Sequence, residues 1–162
     1  MQNQIRLEKI NGREDFPYFA QLVFNEKVMA MDMGRIFTQE EADGYFAYVL
    51  DYNAAHENAG NYKVFLADGA FIGLGALWVR EDGTEVEYMV LPEYWGKGYA
   101  TAILSELIDL ARKNPDVHGL SGLFDPANAA SRRVLEKNGF TFDRRMDVEE
   151  DGSVVEVYSR EV

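Results

Sequence analysis

The chain has 162 residues, 47% of them hydrophobic and 27% charged, which fits one domain with a real core and excludes a disordered chain. Its 28 acidic residues against 16 basic ones give a formal charge of −12, which argues against nucleic-acid binding, where phosphates must meet Lys and Arg. That charge accords with plain solubility and also with a cationic substrate. No cysteine is present, so disulfides, thiolate zinc sites and cysteine nucleophiles are excluded, and a reducing cytoplasm is the expected compartment. With only His56 and His118, no metal site is expected. No apolar run approaches the roughly 20 residues of a membrane span, and the first 20 lack the basic-then-apolar pattern of a secretory signal.

The elements follow in chain order, with no repeat or linker to divide a single domain spanning residues 1–162. Ile5 to Ile10 alternates apolar and polar residues and predicts a first strand. Two helices follow: one carries Phe19, Leu22, Val23 and Phe24, and the second starts at a capping box, Thr38 to Glu41, leading into Tyr45, Phe46, Tyr48, Val49 and Leu50. Tyr62–Ala67, Phe71–Val79 and Glu85–Leu91, separated by the DG turns 68–69 and 82–83, predict three antiparallel strands. From about Gly98 to Lys113 the stripe Ala100, Ile103, Leu104, Leu107, Ile108, Ala111 predicts an amphipathic helix. His118–Phe124 is the next strand. A last helix follows, with Asp125 as N-cap, Pro126 at its first position and Asn138-Gly139 as its stop. A hairpin turning at Asp151-Gly152 closes the chain. The order is β, two helices, β-β-β, α, β, α, β-β: an α+β fold on a mixed sheet.

The turn YWGKGYA, Tyr94 to Ala100, is chemically out of place in so acidic a chain. A helix's first turn carries unpartnered N–H groups and partial positive charge, where Asp and Glu usually collect, yet residues 96–105 include no carboxylate. Gly96 and Gly98 permit positive φ and close approach, and Lys97 adds a charge, so the turn is built for an anion such as a phosphate. A Walker loop does not fit, because Gly98 follows Lys97. Nor does a dinucleotide fingerprint, because Thr101 stands where its third glycine belongs.

YMVLPEYWGKGYATAIL, followed some thirty residues later by NAASRRVLEKNGF, resembles the GCN5-related N-acetyltransferase (GNAT) superfamily. More narrowly it is similar to the ribosomal-protein-alanine acetyltransferase branch. The family's pyrophosphate motif, Arg or Gln, two residues, Gly, one residue, Gly or Ala, falls on Trp95, Gly98 and Ala100, with Trp95 departing from it. The resemblance implies a sheet of about seven strands flanked by about four helices, acetyl-CoA as co-substrate, and no metal. It also implies that the backbone of Tyr88, Met89 and Val90 meets the pantetheine arm, that Gly96, Lys97, Gly98, Tyr99, Ala100 and Thr101 wrap the pyrophosphate, and that Asn128 reaches the cofactor.

The implied reaction is acetyl transfer to a primary amine, either a protein N-terminus or a small molecule. An amine is mostly protonated at neutral pH, so the site needs a proton acceptor, a donor for the tetrahedral oxyanion and a hydrogen bond for the departing thiolate. The backbone N–H near Val90 is the expected oxyanion donor. Many relatives place a tyrosine seven residues after the motif asparagine, but this chain has Leu135 there, and the branch's serine falls on Ser131. Where some relatives carry a glutamate this chain has Leu123, so Glu87 is the expected base, with Asp125 as a second candidate. Glu85, Glu87 and Met89 share one face of their strand, opposite Val86, Tyr88 and Val90. The two missing side chains leave open a CoA-binding module without catalysis. A monomer and a homodimer both fit the sequence.

Overall fold

The computed structural model describes residues 4–148 and 152–162. One sheet runs β1-β2-β3-β4-β5-β7-β6, from β1 (Ile5–Lys9), β2 (Gly60–Leu66), β3 (Phe71–Arg80), β4 (Gly83–Val90), β5 (Gly119–Phe124), β6 (Thr141–Asp147) and β7 (Val154–Glu161). Every neighbouring pair is antiparallel except β4 and β5, which are parallel. The helices are α1 (Phe16–Val23), α2 (Glu26–Ala30), α3 (Gln39–Ala55), α4 (Tyr99–Ala111) and α5 (Ala129–Lys137). This is the expected α+β mixed sheet, with one helix more than the pattern predicts. The first helical region divides because Asn25 accepts the N–H groups of Lys27 and Val28 and so starts α2 afresh. After Ala30 the chain turns at Gly34, φ 81°, before the capping box of Thr38 and Glu41 opens α3.

The two faces of the sheet carry different helices. A Cβ on Gly75 would meet Ile103 and Leu107, and one on Gly122 would meet Leu135, so α4 and α5 lie against the face that holds Val86, Tyr88 and Val90. The other face packs against α3 through Trp78, which contacts Tyr48 and Tyr52, and α1 also lies against β3. The stripe of α4 is realised: Ile103, Leu104, Leu107, Ile108 and Ala111 are all buried. Each large aliphatic among them contributes about 1.5–3 kcal/mol by leaving water.

One helix boundary differs from expectation. Asp125 does not cap α5: its carboxylate accepts the N–H of Ala127 in a tight local turn, which holds Pro126 outside the helix. Asn128 caps instead, accepting the N–H of Ser131 at 3.1 Å, and α5 begins at Ala129. Its stop is as expected, with Gly139 at φ 83° and the N–H of Phe140 returning to Leu135. In the closing hairpin, Asp151 of the expected turn lies outside the described residues. Among the described residues, no helix is long and apolar enough to cross a membrane.

Candidate active site

Strands β4 and β5 pair only at Glu85 with Ser121 and Val86 with Gly122. Beyond that point they separate, opening a cleft beside Tyr88, Met89 and Val90. Which backbone groups face it follows from antiparallel alternation. The N–H of Leu91 bonds to the carbonyl of Ile72 at 2.8 Å, so Leu91 and, two residues back, Met89 turn their peptide groups to β3. Val90 and Tyr88 turn theirs to the cleft. The Val90 carbonyl accepts the indole N–H of Trp95 at 2.7 Å, so of that residue's two polar backbone groups the N–H is the one left facing the opening.

At the mouth of the cleft a short 3-10 turn, Pro92–Tyr94, leads into the glycine turn. Gly96 and Gly98 both have positive φ, 74° and 83°, and a side chain on Gly96 would meet nothing within 4 Å. Gly98 is the N-cap of α4 and has no side chain to offer. No acidic residue stands in that first turn. Lys97 reaches over the ring of Tyr94, and Tyr94 meets Tyr99 edge to face. The first turn of this 13-residue helix, half-buried at Tyr99 to Thr101 behind the exposed Gly96 to Gly98, offers amides without a side-chain cap, an arrangement suited to a diphosphate with an extended arm.

Behind the cleft, on the α3 side of β4, lies Glu87. The hydroxyl of Tyr45 from α3 reaches it at 3.5 Å, and the indole N–H of the fully buried Trp78 leans toward it without closing a hydrogen bond. Burial, then the charge of Glu85, raises the Glu87 carboxyl to about 7, and Asp32 adds to the rise. The Trp78 N–H and Arg80 pull the other way. Arg80 stands 3.6 Å from Glu85. A carboxylate that exchanges its proton near neutrality is equipped to accept one from an amine.

On the α5 side the first turn of that helix presents Ser131, half-buried, with the Tyr88 hydroxyl 3.4 Å from its Oγ. Asn128 uses its side-chain oxygen locally, as the cap of α5. Leu135 is buried beneath Gly122, Leu123 is 40% exposed, and Asp125 is tied to its own turn.

Residues 4–141 match the family model described as the acetyltransferase (GNAT) domain. The chain belongs to this acetyltransferase family. It is 29% identical over 151 residues to the FsC-acetyl coenzyme A-N(2)-transacetylase of Aspergillus fumigatus, a match covering 84% of this chain and 63% of that protein. Its fold is similar to an acetyltransferase from Salmonella typhimurium described as modifying the N-terminal serine of ribosomal protein L7/L12 (TM-score 0.81, 20% identity, 99% and 96% of the two chains). It is also similar to a spermidine N-acetyltransferase from Vibrio cholerae solved with CoA and spermine (TM-score 0.79, 20% identity, 98% and 95%).

In this member of the family the sequence-predicted residues fall into three groups: the strand end 88–90, the glycine turn 96–101, and Ser131 with Asn128 at the start of α5, where Ser131 meets Tyr88. Glu87 stands on the opposite side of β4 from Ser131, as strand alternation requires. Three contacts escaped the sequence reading. The bond from Trp95 to Val90 spans five residues and was within reach of a local reading. The bonds from Tyr45 to Glu87 and from Tyr88 to Ser131 span 42 and 43 residues and depend on how the helices settle on the sheet.

Proposed function

We propose that this chain transfers an acetyl group from acetyl-CoA directly to a primary amine, on a protein N-terminus or a small molecule, with no acyl-enzyme intermediate. The observation that carries the reading is the parting of β4 from β5 after Val86, directly above a carboxylate-free helix start on two positive-φ glycines. In this reading Gly96 to Thr101 hold the diphosphate by their amides, and Asn128 helps to bound the cofactor from α5. The arm lies along the open edge, where the peptide groups of Tyr88 and Val90 are available; those of Met89, expected to meet the arm as well, turn to β3 instead. The N–H groups of Val90 and Tyr88 stabilise the oxyanion and the neighbouring carbonyl of the arm. Glu87 accepts the proton that the amine must lose, directly or through water, and the amine nitrogen bonds to the acetyl carbon. As the C–S bond breaks its electron pair leaves on sulfur as a thiolate, which Ser131 meets with a hydrogen bond and which then takes a proton from solvent.

Support for the acceptor class comes from the site's charge and from the relatives. Glu85, Glu87 and Asp32 suit a cationic acceptor, and the solved neighbours include enzymes described as acting on a protein N-terminal serine and on spermidine. The test is release of free CoA from acetyl-CoA in the presence of peptides beginning with Ser, Ala or Met, polyamines and aminoglycosides. Turnover on one of these classes is expected. S131A is expected to lower turnover at saturating substrates while leaving acetyl-CoA affinity unchanged. Tight CoA binding without turnover on any amine would instead support a binding module, which the leucines at 123 and 135 would then explain.

A further inference from the structure

Ser131 alone is a poor hydrogen-bond donor to a departing thiolate, because a serine early in a helix is free to turn its hydrogen onto a backbone carbonyl. The structure supplies a second hydroxyl beside it. Tyr88 projects from β4 on the face covered by α4 and α5, and its Oη lies 3.4 Å from Ser131 Oγ and 3.3 Å from the Ser131 carbonyl oxygen. The place of the usual tyrosine, at Leu135, is filled by a leucine whose methyl groups occupy the space a side chain on Gly122 would need. No phenol can enter from α5 there without displacing that packing. Gly75, directly across β3 from Tyr88, leaves room on the same face for the α4 side chains Ile103 and Leu107.

We propose that Tyr88 is a positioning residue for Ser131: its hydroxyl, set between the Ser131 carbonyl oxygen and Oγ, donates to that pair of acceptors, so that Oγ is held as an acceptor on this side and the serine's own hydrogen is directed into the cleft at the leaving sulfur. This rests on the acetyl-transfer reading above. No proton leaves Tyr88 in this step. Burial pushes its phenol up to about 12, so it stays a protonated donor throughout the neutral range. Strand alternation also makes Tyr88 one of the two residues whose backbone faces the cleft, so its side chain and its peptide groups border the same opening.

The experiment is a double-mutant cycle, Y88F, S131A and Y88F/S131A, with kcat and KM measured on the best amine found and acetyl-CoA affinity measured separately. Loss of one oriented hydrogen bond predicts a drop in kcat of about fivefold to tenfold in Y88F, with KM for acetyl-CoA unchanged. The double variant should be no slower than S131A, because Tyr88 acts only through the serine. Independent effects that multiply, or a Y88F kcat equal to that of the native chain, overturn the proposal. Should Y88F fold poorly, 3-fluorotyrosine at position 88 keeps the shape and alters the donor. It should change kcat in the Ser131 protein and leave it unchanged in S131A, and a change of the same size in both overturns the proposal. A native chain without turnover on any amine defeats the acetyl-transfer reading itself. Turnover that S131A slows and Y88F does not defeats this inference alone.

Discussion

Thr101→Glu sets the stability of α4 against its capacity for an anion. Residue 101 is the third of the helix, where a carboxylate is favourable: facing unpartnered amides, it should add about 0.5 kcal/mol, which in a chain of this size raises Tm by about 1–2 °C. The same charge opposes a diphosphate. Three residues of helix at about 1.5 Å each, with a side chain that leans toward the N-terminus, put the carboxylate about 6 Å from an anion seated on the first turn. Two unit charges at that distance repel by about 0.7 kcal/mol at a dielectric of about 80 and about 2.8 kcal/mol at about 20. The diphosphate carries more than one charge, so CoA affinity should fall by about tenfold to hundredfold. Calorimetric titration of CoA into T101E and its neutral isostere T101Q separates charge from shape. The loss should appear only in T101E and shrink as salt is raised. Equal CoA affinity in the two variants, with α4 stabilised in T101E, would refute the reasoning.

Other consequences follow from the two buried ionisable sites. If Glu87 is the base, kcat/KM should rise about tenfold per pH unit below 7 and level above it, since only the carboxylate accepts a proton. In E87Q that limb should vanish and the rate fall by about 10²–10⁴. The same group predicts a stability effect of opposite sense. A carboxyl raised above its unfolded value of 4.5 costs the fold nothing below that pH; the cost builds between 4.5 and about 7 and is complete above 7. E87Q should therefore be more stable than the native chain at pH 8, on the order of 2 kcal/mol after allowing for partial exposure, with the gap narrowing below pH 7 and closing by about pH 4 in urea titrations. Finally, Lys63 and Asp15 form a nearly buried pair at 2.6 Å. K63M should lose about 3–5 kcal/mol in the same titrations by stranding Asp15, and D15L/K63M should recover part of it.

Much of this was written in local pattern. The stripe of α4, the capping box at Thr38 and the stop at Asn138-Gly139 are short-range signals, and each appears in the structure where the residues place it. The glycine turn was legible for the same reason: positive-φ glycines and missing carboxylates are properties of consecutive residues. The start of α5 was misread because Asp125 and Asn128 are both good caps three residues apart, and only the geometry of the turn through Pro126 decides between them. The surroundings of Glu87 were out of reach. Its partners come from α3, β3 and the segment after α2, and a mid-strand glutamate reads equally well as solvent-facing until α3 covers it.

Acetyl transfer by this chain requires CoA to lie in the opening between β4 and β5 with its diphosphate on the glycine turn. An amide-resolved NMR titration with CoA tests that directly. The largest shifts should fall on Gly96 to Thr101 and on Tyr88 and Val90, with Met89, turned toward β3, moving less. Saturable binding that leaves residues 96–101 unshifted and perturbs another surface would contradict it.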